Sequence, residues 1–124
     1  MEALNVLVVD DSGIVIMKLS KIFKELGHNV VGSAKTGVQA IEQYAELNPD
    51  LVTMDITMPD MNGIEATQKI LEQDENATII MVTSHGQEQM VMDAIDAGAK
   101  GYILKPFYAD KIQAHLEKIF AAED

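Results

Sequence analysis

The chain has 124 residues, a formal net charge of −11, no cysteine and 48% hydrophobic residues. That length suits one domain with a full core. The missing cysteines exclude disulfides and thiolate metal sites, and the charge disfavours nucleic acid phosphates and anionic membranes. All nine basic residues are lysine. Without arginine the usual fork for phosphate and guanine is absent, which argues against direct nucleic acid binding. No basic stretch followed by an apolar one opens the chain, and no apolar run approaches membrane-spanning length. A soluble cytoplasmic protein, monomeric by default, is expected.

The first apolar run, NVLVV (Asn5–Val9), reads as a strand and ends in two adjacent carboxylates, Asp10 and Asp11. Val15, Leu19, Ile22, Phe23 and Leu26 then recur at helical spacing, and Gly27 stands where that helix should stop. NVVGS (Asn29–Ser33) is the second strand, and Val38, Ile41, Tyr44 and Ala45 mark the second helix. NPD (Asn48–Asp50) breaks it before the third strand, LVTM (Leu51–Met54), which runs into Asp55. Ile64, Thr67, Ile70 and Leu71 give the third helix, and TIIMV (Thr78–Val82) the fourth strand, followed by Thr83 and Ser84. Val91, Ala94, Ile95 and Gly98 mark the fourth helix. GYILK (Gly101–Lys105) is the fifth strand, then Pro106, then a helix with Ile112, Leu116, Ile119 and Phe120 on one face.

Several of these strands are near-continuously apolar, the pattern of strands covered on both faces. Strict β–α alternation predicts one α/β domain over residues 1–124, with a parallel sheet and right-handed crossovers. In such a sheet ligands bind at the edge shared by the strand C-terminal ends. The residues after the strands therefore form the candidate site: Asp10 and Asp11, Asp55, Thr83 and Ser84, and Lys105.

Each has a plainer reading. Asp11 or Ser12 would cap the first helix, Asp55 a turn, Thr83 or Ser84 the fourth helix. Lys105 would be a surface lysine, with Pro106 starting a helix. Taken singly these readings are good, but they do not explain why acid, hydroxyl and ammonium groups follow four strands that share an edge. Two carboxylates about 4 Å apart repel by roughly 4 kcal/mol at an effective dielectric near 20. Three of them call for a cation, and an all-oxygen set suits Mg²⁺. A carboxylate beside Mg²⁺ is equipped to attack phosphorus and form an aspartyl phosphate, with lysine and hydroxyl contacting the phosphoryl oxygens. Periodicity leaves open which carboxylate is the nucleophile.

The motifs VVDD, MDITMPDMNG (Met54–Gly63), MVTSHG (Met81–Gly86) and GAKGYILKPF (Gly98–Phe107), in that order, resemble the receiver domain of two-component response regulators. The resemblance covers essentially the whole chain and is nearest to single-domain chemotaxis regulators of the CheY type. It implies a doubly wound, flavodoxin-like sheet in the order 2-1-3-4-5 with five helices, and a phosphorylation switch rather than a metabolic enzyme. It implies that Asp55 accepts the phosphoryl group from a sensor histidine kinase, while Asp10, Asp11 and the backbone carbonyl of Thr57 join Asp55 around Mg²⁺. Lys105 pairs with the phosphoryl group, Thr83 moves toward it, and Tyr102 turns inward in response. Thr57 and His85, two residues beyond the nucleophile and the threonine, tune the phosphoryl lifetime, although His85 also reads as an exposed helix-start residue. The Lys105–Pro106 bond is expected to be cis. The target is expected on the face of the fourth helix, fifth strand and fifth helix, the flagellar motor switch being one candidate.

Three rivals stand beside this. A Mg²⁺-dependent aspartate-nucleophile phosphatase would carry a second aspartate where Ser12 stands. A flavin-binding module would need a phosphate loop where Asp10 and Asp11 repel phosphate. A receiver cut from a larger regulator with a DNA-binding output domain would share every motif, although the opening Met1 favours a stand-alone chain. His28 and His115 lack partners at ligand spacing and read as packing or surface residues.

Overall fold

Alternate residues of the apolar runs face opposite sides of one sheet, so each run feeds two cores. The computed structural model describes residues 1–121; of the expected 1–124 span, residues 122–124 lie outside it. The elements alternate as β1 (Asn5–Val9), α1 (Gly13–Glu25), β2 (Asn29–Ala34), α2 (Gly37–Leu47), β3 (Leu51–Met54), α3 (Gly63–Gln73), β4 (Ile79–Thr83), α4 (Glu88–Asp96), β5 (Gly101–Leu104) and α5 (Ala109–Phe120). All the strand pairings are parallel, in the order β2-β1-β3-β4-β5.

On one side, Leu7, Val9, Val52, Met54, Ile79 and Met81 pack with Ala40, Tyr44, Ala66 and Ile70 of α2 and α3 and Ala94 of α4. On the other, Val6, Val8, Leu51, Ile80, Val82 and Ile103 pack with Leu19 and Phe23 of α1 and Ile112, Leu116 and Phe120 of α5. Each fully buried Leu, Ile or Phe contributes roughly 1.5–3 kcal/mol. Gly27 and Gly98 follow α1 and α4 at φ 92° and 109°, and Asn48 ends α2 at φ 45°, so the expected breaks are left-handed caps. No helix among the described residues is long and apolar enough to cross a membrane.

Two helix faces differ from the periodic reading. In α2 the buried residues are Gly37, Ala40 and Tyr44, while Val38 and Ala45 are exposed. Gly37, Ala40 and Tyr44 form the packing face of this helix, and Val38 lies off it. In α4 only Ala94 is buried, and Met92 (51%) and Ile95 (54%) are exposed. An amphipathic pattern identifies a helix but does not distinguish an apolar stripe that packs from one left on the surface.

Candidate functional site

The strand C-terminal ends meet at one edge, and the residues after them converge there. Strand pairing fixes the stubs. The Asp10 N–H donates to the Ala34 carbonyl (3.0 Å), that of Asp55 to Val9 (3.0 Å), and that of Lys105 to Thr83 (2.8 Å). The Asp10, Asp11 and Asp55 carboxylates each offer an oxygen within 4.8 Å of the others; Asp10 and Asp55 are buried and Asp11 is exposed. Lys105 Nζ lies 2.9 Å from Asp10 Oδ2 and 3.7 Å from Asp55 Oδ1. Asp10 Oδ1 also accepts from the Ser12 N–H (2.9 Å), and Asp55 Oδ1 from the Ile56 N–H (2.9 Å).

One ammonium thus serves two buried carboxylates and sits closer to Asp10. Burial, with the Asp10 charge beside it, holds the Asp55 carboxyl above the usual carboxylate range, against the pull of Lys105. Three carboxylate oxygens this close and short of positive charge form a hard-oxygen site that suits a divalent cation such as Mg²⁺.

The plainer readings sort residue by residue. Ser12 caps α1, its Oγ accepting from the Val15 N–H (3.3 Å), so Asp11 is not needed as a cap. Helix α4 starts at Glu88, too far along for Thr83 or Ser84 to cap it. Thr83 is the last residue of β4, fully buried, and its Oγ1 accepts from the His85 N–H (3.3 Å). Helix α5 starts at Ala109, so Pro106 does not begin it; the Lys105–Pro106 bond is cis.

Thr57 Oγ1 and His85 Nε2 lie 2.7 Å apart, a hydrogen bond whose direction the ring tautomer sets. Tyr102, half-buried on β5, donates its hydroxyl to the His85 carbonyl (2.5 Å). His28 is buried, and its Nδ1 accepts from the Leu4 N–H (3.0 Å). His115 is half-buried, its Nδ1 3.0 Å from the Lys111 carbonyl. Both are packing or surface residues, as expected.

Two residues of MPDMNG escaped the sequence reading. A Cβ on Gly63 would lie 1.9 Å from the Asp55 carbonyl oxygen, so only glycine lets α3 start against the Asp55 backbone. Asp60 accepts from the Gly37 (2.8 Å) and Val38 (2.9 Å) N–H groups, tying the loop after Asp55 to the start of α2. These donors hold the Asp60 carboxyl below the usual range. An acid and a glycine near a turn were the available signal, but neither names its distant partner.

Residues 6–117 match the response regulator receiver domain family. The chain is 48% identical over 115 residues to the chemotaxis protein CheY of Thermotoga maritima, covering 93% of this chain and 96% of that protein. It is also 48% identical over 114 residues to the chemotaxis protein CheY of Bacillus subtilis, covering 92% and 95%. Among solved structures it resembles a chain of the CheX-CheY-BeF3-Mg²⁺ complex from Borrelia burgdorferi, with TM-score 0.90 and 41% identity over 94% of this chain and 88% of that one. The parallel five-stranded sheet, the acidic edge and these likenesses agree: the chain belongs to the response regulator receiver domain family.

Proposed function

We propose that this chain is a phosphorylation-controlled receiver of chemotaxis signalling, and that Asp55 is its phospho-accepting residue. The observation that carries this is the placement of Lys105 Nζ, within 2.9 Å of Asp10 and 3.7 Å of Asp55, beside three convergent carboxylates. Asp10, Asp11, Asp55 and the Thr57 carbonyl would hold Mg²⁺. When bound, the ion neutralises charge on the entering phosphoryl group and helps orient it.

The chain's own groups supply the rest. An Asp55 carboxylate oxygen attacks phosphorus, and the phosphorus–nitrogen bond of a histidine kinase's phosphohistidine breaks, leaving its imidazole. Lys105 pairs with the added negative charge, and the Thr83 hydroxyl donates to a phosphoryl oxygen. These contacts exist only in the phosphorylated state, so they bias a two-state equilibrium. Tyr102 reports that shift to the α4–β5–α5 face. That face exposes Met92, Ile95, Leu104 and Tyr108 and carries a groove of about 660 Å³ between Lys100, Tyr102 and His115. Lys100 and Lys118 line that groove, which on a chain of net charge −11 suits a partner segment that pairs acidic groups with apolar ones. Thr57 and His85 flank the approach of water and set the phosphoryl lifetime. The chain's catalysis is limited to taking phosphoryl groups from small donors and hydrolysing its own acyl phosphate.

Incubation with acetyl phosphate and Mg²⁺, read by intact mass, tests this. One added phosphoryl group, abolished by a chelator, is expected. No adduct, in protein shown to bind Mg²⁺, would contradict the proposal.

A further inference from the structure

His85 is held at three points. Its N–H donates to Thr83 Oγ1 (3.3 Å), its carbonyl accepts from the Tyr102 hydroxyl (2.5 Å), and its ring meets the Thr57 hydroxyl at 2.7 Å. The loops that carry Thr57 and His85 follow β3 and β4, which pair directly. Thr57 is exposed and His85 half-buried, whereas Asp55 is buried at the root of the first loop. The ring–hydroxyl bond therefore bridges two adjacent loops on the solvent side of Asp55. The only side-chain tie from β5 to this bridge, among the described residues, is the Tyr102 hydroxyl.

We propose that Tyr102 is a positioning residue for phosphoryl hydrolysis: by fixing the His85 carbonyl it keeps the Thr57–His85 bond closed and screens the Asp55 phosphoryl group from water. This rests on the reading of Asp55 as phosphoacceptor. In hydrolysis a water oxygen attacks phosphorus, the bond between phosphorus and the Asp55 oxygen breaks, and carboxylate and inorganic phosphate leave with one proton released. While the bridge is closed, His85 Nε2 is committed to Thr57 Oγ1 and does not orient that water. Opening the bridge uncovers the phosphoryl group and frees His85 Nε2.

The backbone makes the coupling separable. His85→Ala deletes the ring but keeps the carbonyl, so Tyr102 retains its acceptor while the bridge is lost. Tyr102→Phe keeps the ring and deletes the tie. One neutral hydrogen bond is worth about fivefold in such an equilibrium.

The test loads each protein with acetyl phosphate and Mg²⁺, removes the donor by rapid gel filtration and follows adduct decay by intact mass. Tyr102→Phe is expected to decay about fivefold faster than the parent. His85→Ala is expected to be at least as fast as Tyr102→Phe, and the double variant no faster than His85→Ala. His85→Gln, whose amide still reaches Thr57, is expected to decay more slowly than His85→Ala. Parental or slower decay in Tyr102→Phe would overturn the coupling alone, as would an acceleration that persists in the His85→Ala background. Failure of the parent to form any adduct would overturn the receiver reading and the coupling with it.

Discussion

Replacing Asp55 by asparagine should stabilise the metal-free protein. Carboxylate oxygens of Asp10, Asp11 and Asp55 come within 4.8 Å of one another. Charges at that separation repel by roughly 3.5 kcal/mol at an effective dielectric of about 20. Lys105, 3.7 Å from Asp55, returns roughly 4.5 kcal/mol of attraction on the same scale. Asp11 is exposed and its share is screened. The Coulombic contributions at Asp55 thus nearly cancel, and the cost of burying its charge decides the sign. Asparagine keeps the shape and removes that charge. The expected gain at pH 7 in a chelator is on the order of 1 kcal/mol, or about 3–6 °C in Tm for a chain of this size.

The sign with pH follows from the raised Asp55 carboxyl. A group whose folded pKa lies above its unfolded value destabilises once ionised, and that cost disappears as pH falls through the folded value toward 3.8. The gap between Asp55→Asn and the parent should therefore be full at pH 7 and close on acidification. Thermal unfolding followed by circular dichroism in a chelator measures it. Saturating Mg²⁺ should reverse the order, because the parent gains more by binding. A variant no more stable than the parent in the chelator, or a gap that widens on acidification, would refute the charge argument.

Thr53 is buried in β3 with no hydrogen-bond partner for its hydroxyl among the described residues. Thr53→Val keeps the shape, so chemical denaturation should show a gain of about 1–2 kcal/mol, and a loss would mean the hydroxyl is satisfied. Gly63→Ala forces the Asp55 backbone aside, since its Cβ would lie 1.9 Å from the Asp55 carbonyl oxygen. A cost of about 3 kcal/mol and weaker Mg²⁺ binding by calorimetry are expected, and parental values would refute the close approach. Burial, reinforced by the N-terminal charge, lowers the His28 pKa. Its stabilising effect is complete above the unfolded value of 6.5 and is lost as pH falls below it. An NMR titration midpoint for the His28 ring at or above 6.5 would contradict this.

The sheet was legible because both faces of the central strands are covered, which leaves unbroken apolar runs ending in polar residues. β1 and β3 fall where the runs predicted, and β2, β4 and β5 differ by one residue at one or both ends. The 2-1-3-4-5 order came only from family resemblance, because alternation fixes parallel pairing but not which strands are neighbours. Asp10, Asp11, Asp55, Thr83 and Lys105 were legible as a set, because topology alone brings strand ends together. Asp60 and Gly63 were not, since their partners lie in α2 and in the Asp55 backbone. The outward turn of Val38 and Ile95 was also hidden, because a helical period gives a stripe and not its neighbour. The Thr57–His85 bond needed the loops themselves, whose course no periodicity encodes.

Among the three crowded carboxylates, Asp55 is the one expected to take the phosphoryl group. Borohydride reduction of the acetyl phosphate-treated protein converts an aspartyl phosphate to homoserine, and peptide mass spectrometry locates that residue. Homoserine at position 55, dependent on Mg²⁺ and absent from Asp55→Asn, is the expected result. Homoserine at position 10 or 11, or a phosphoryl adduct that survives in Asp55→Asn at the parental level, would contradict it.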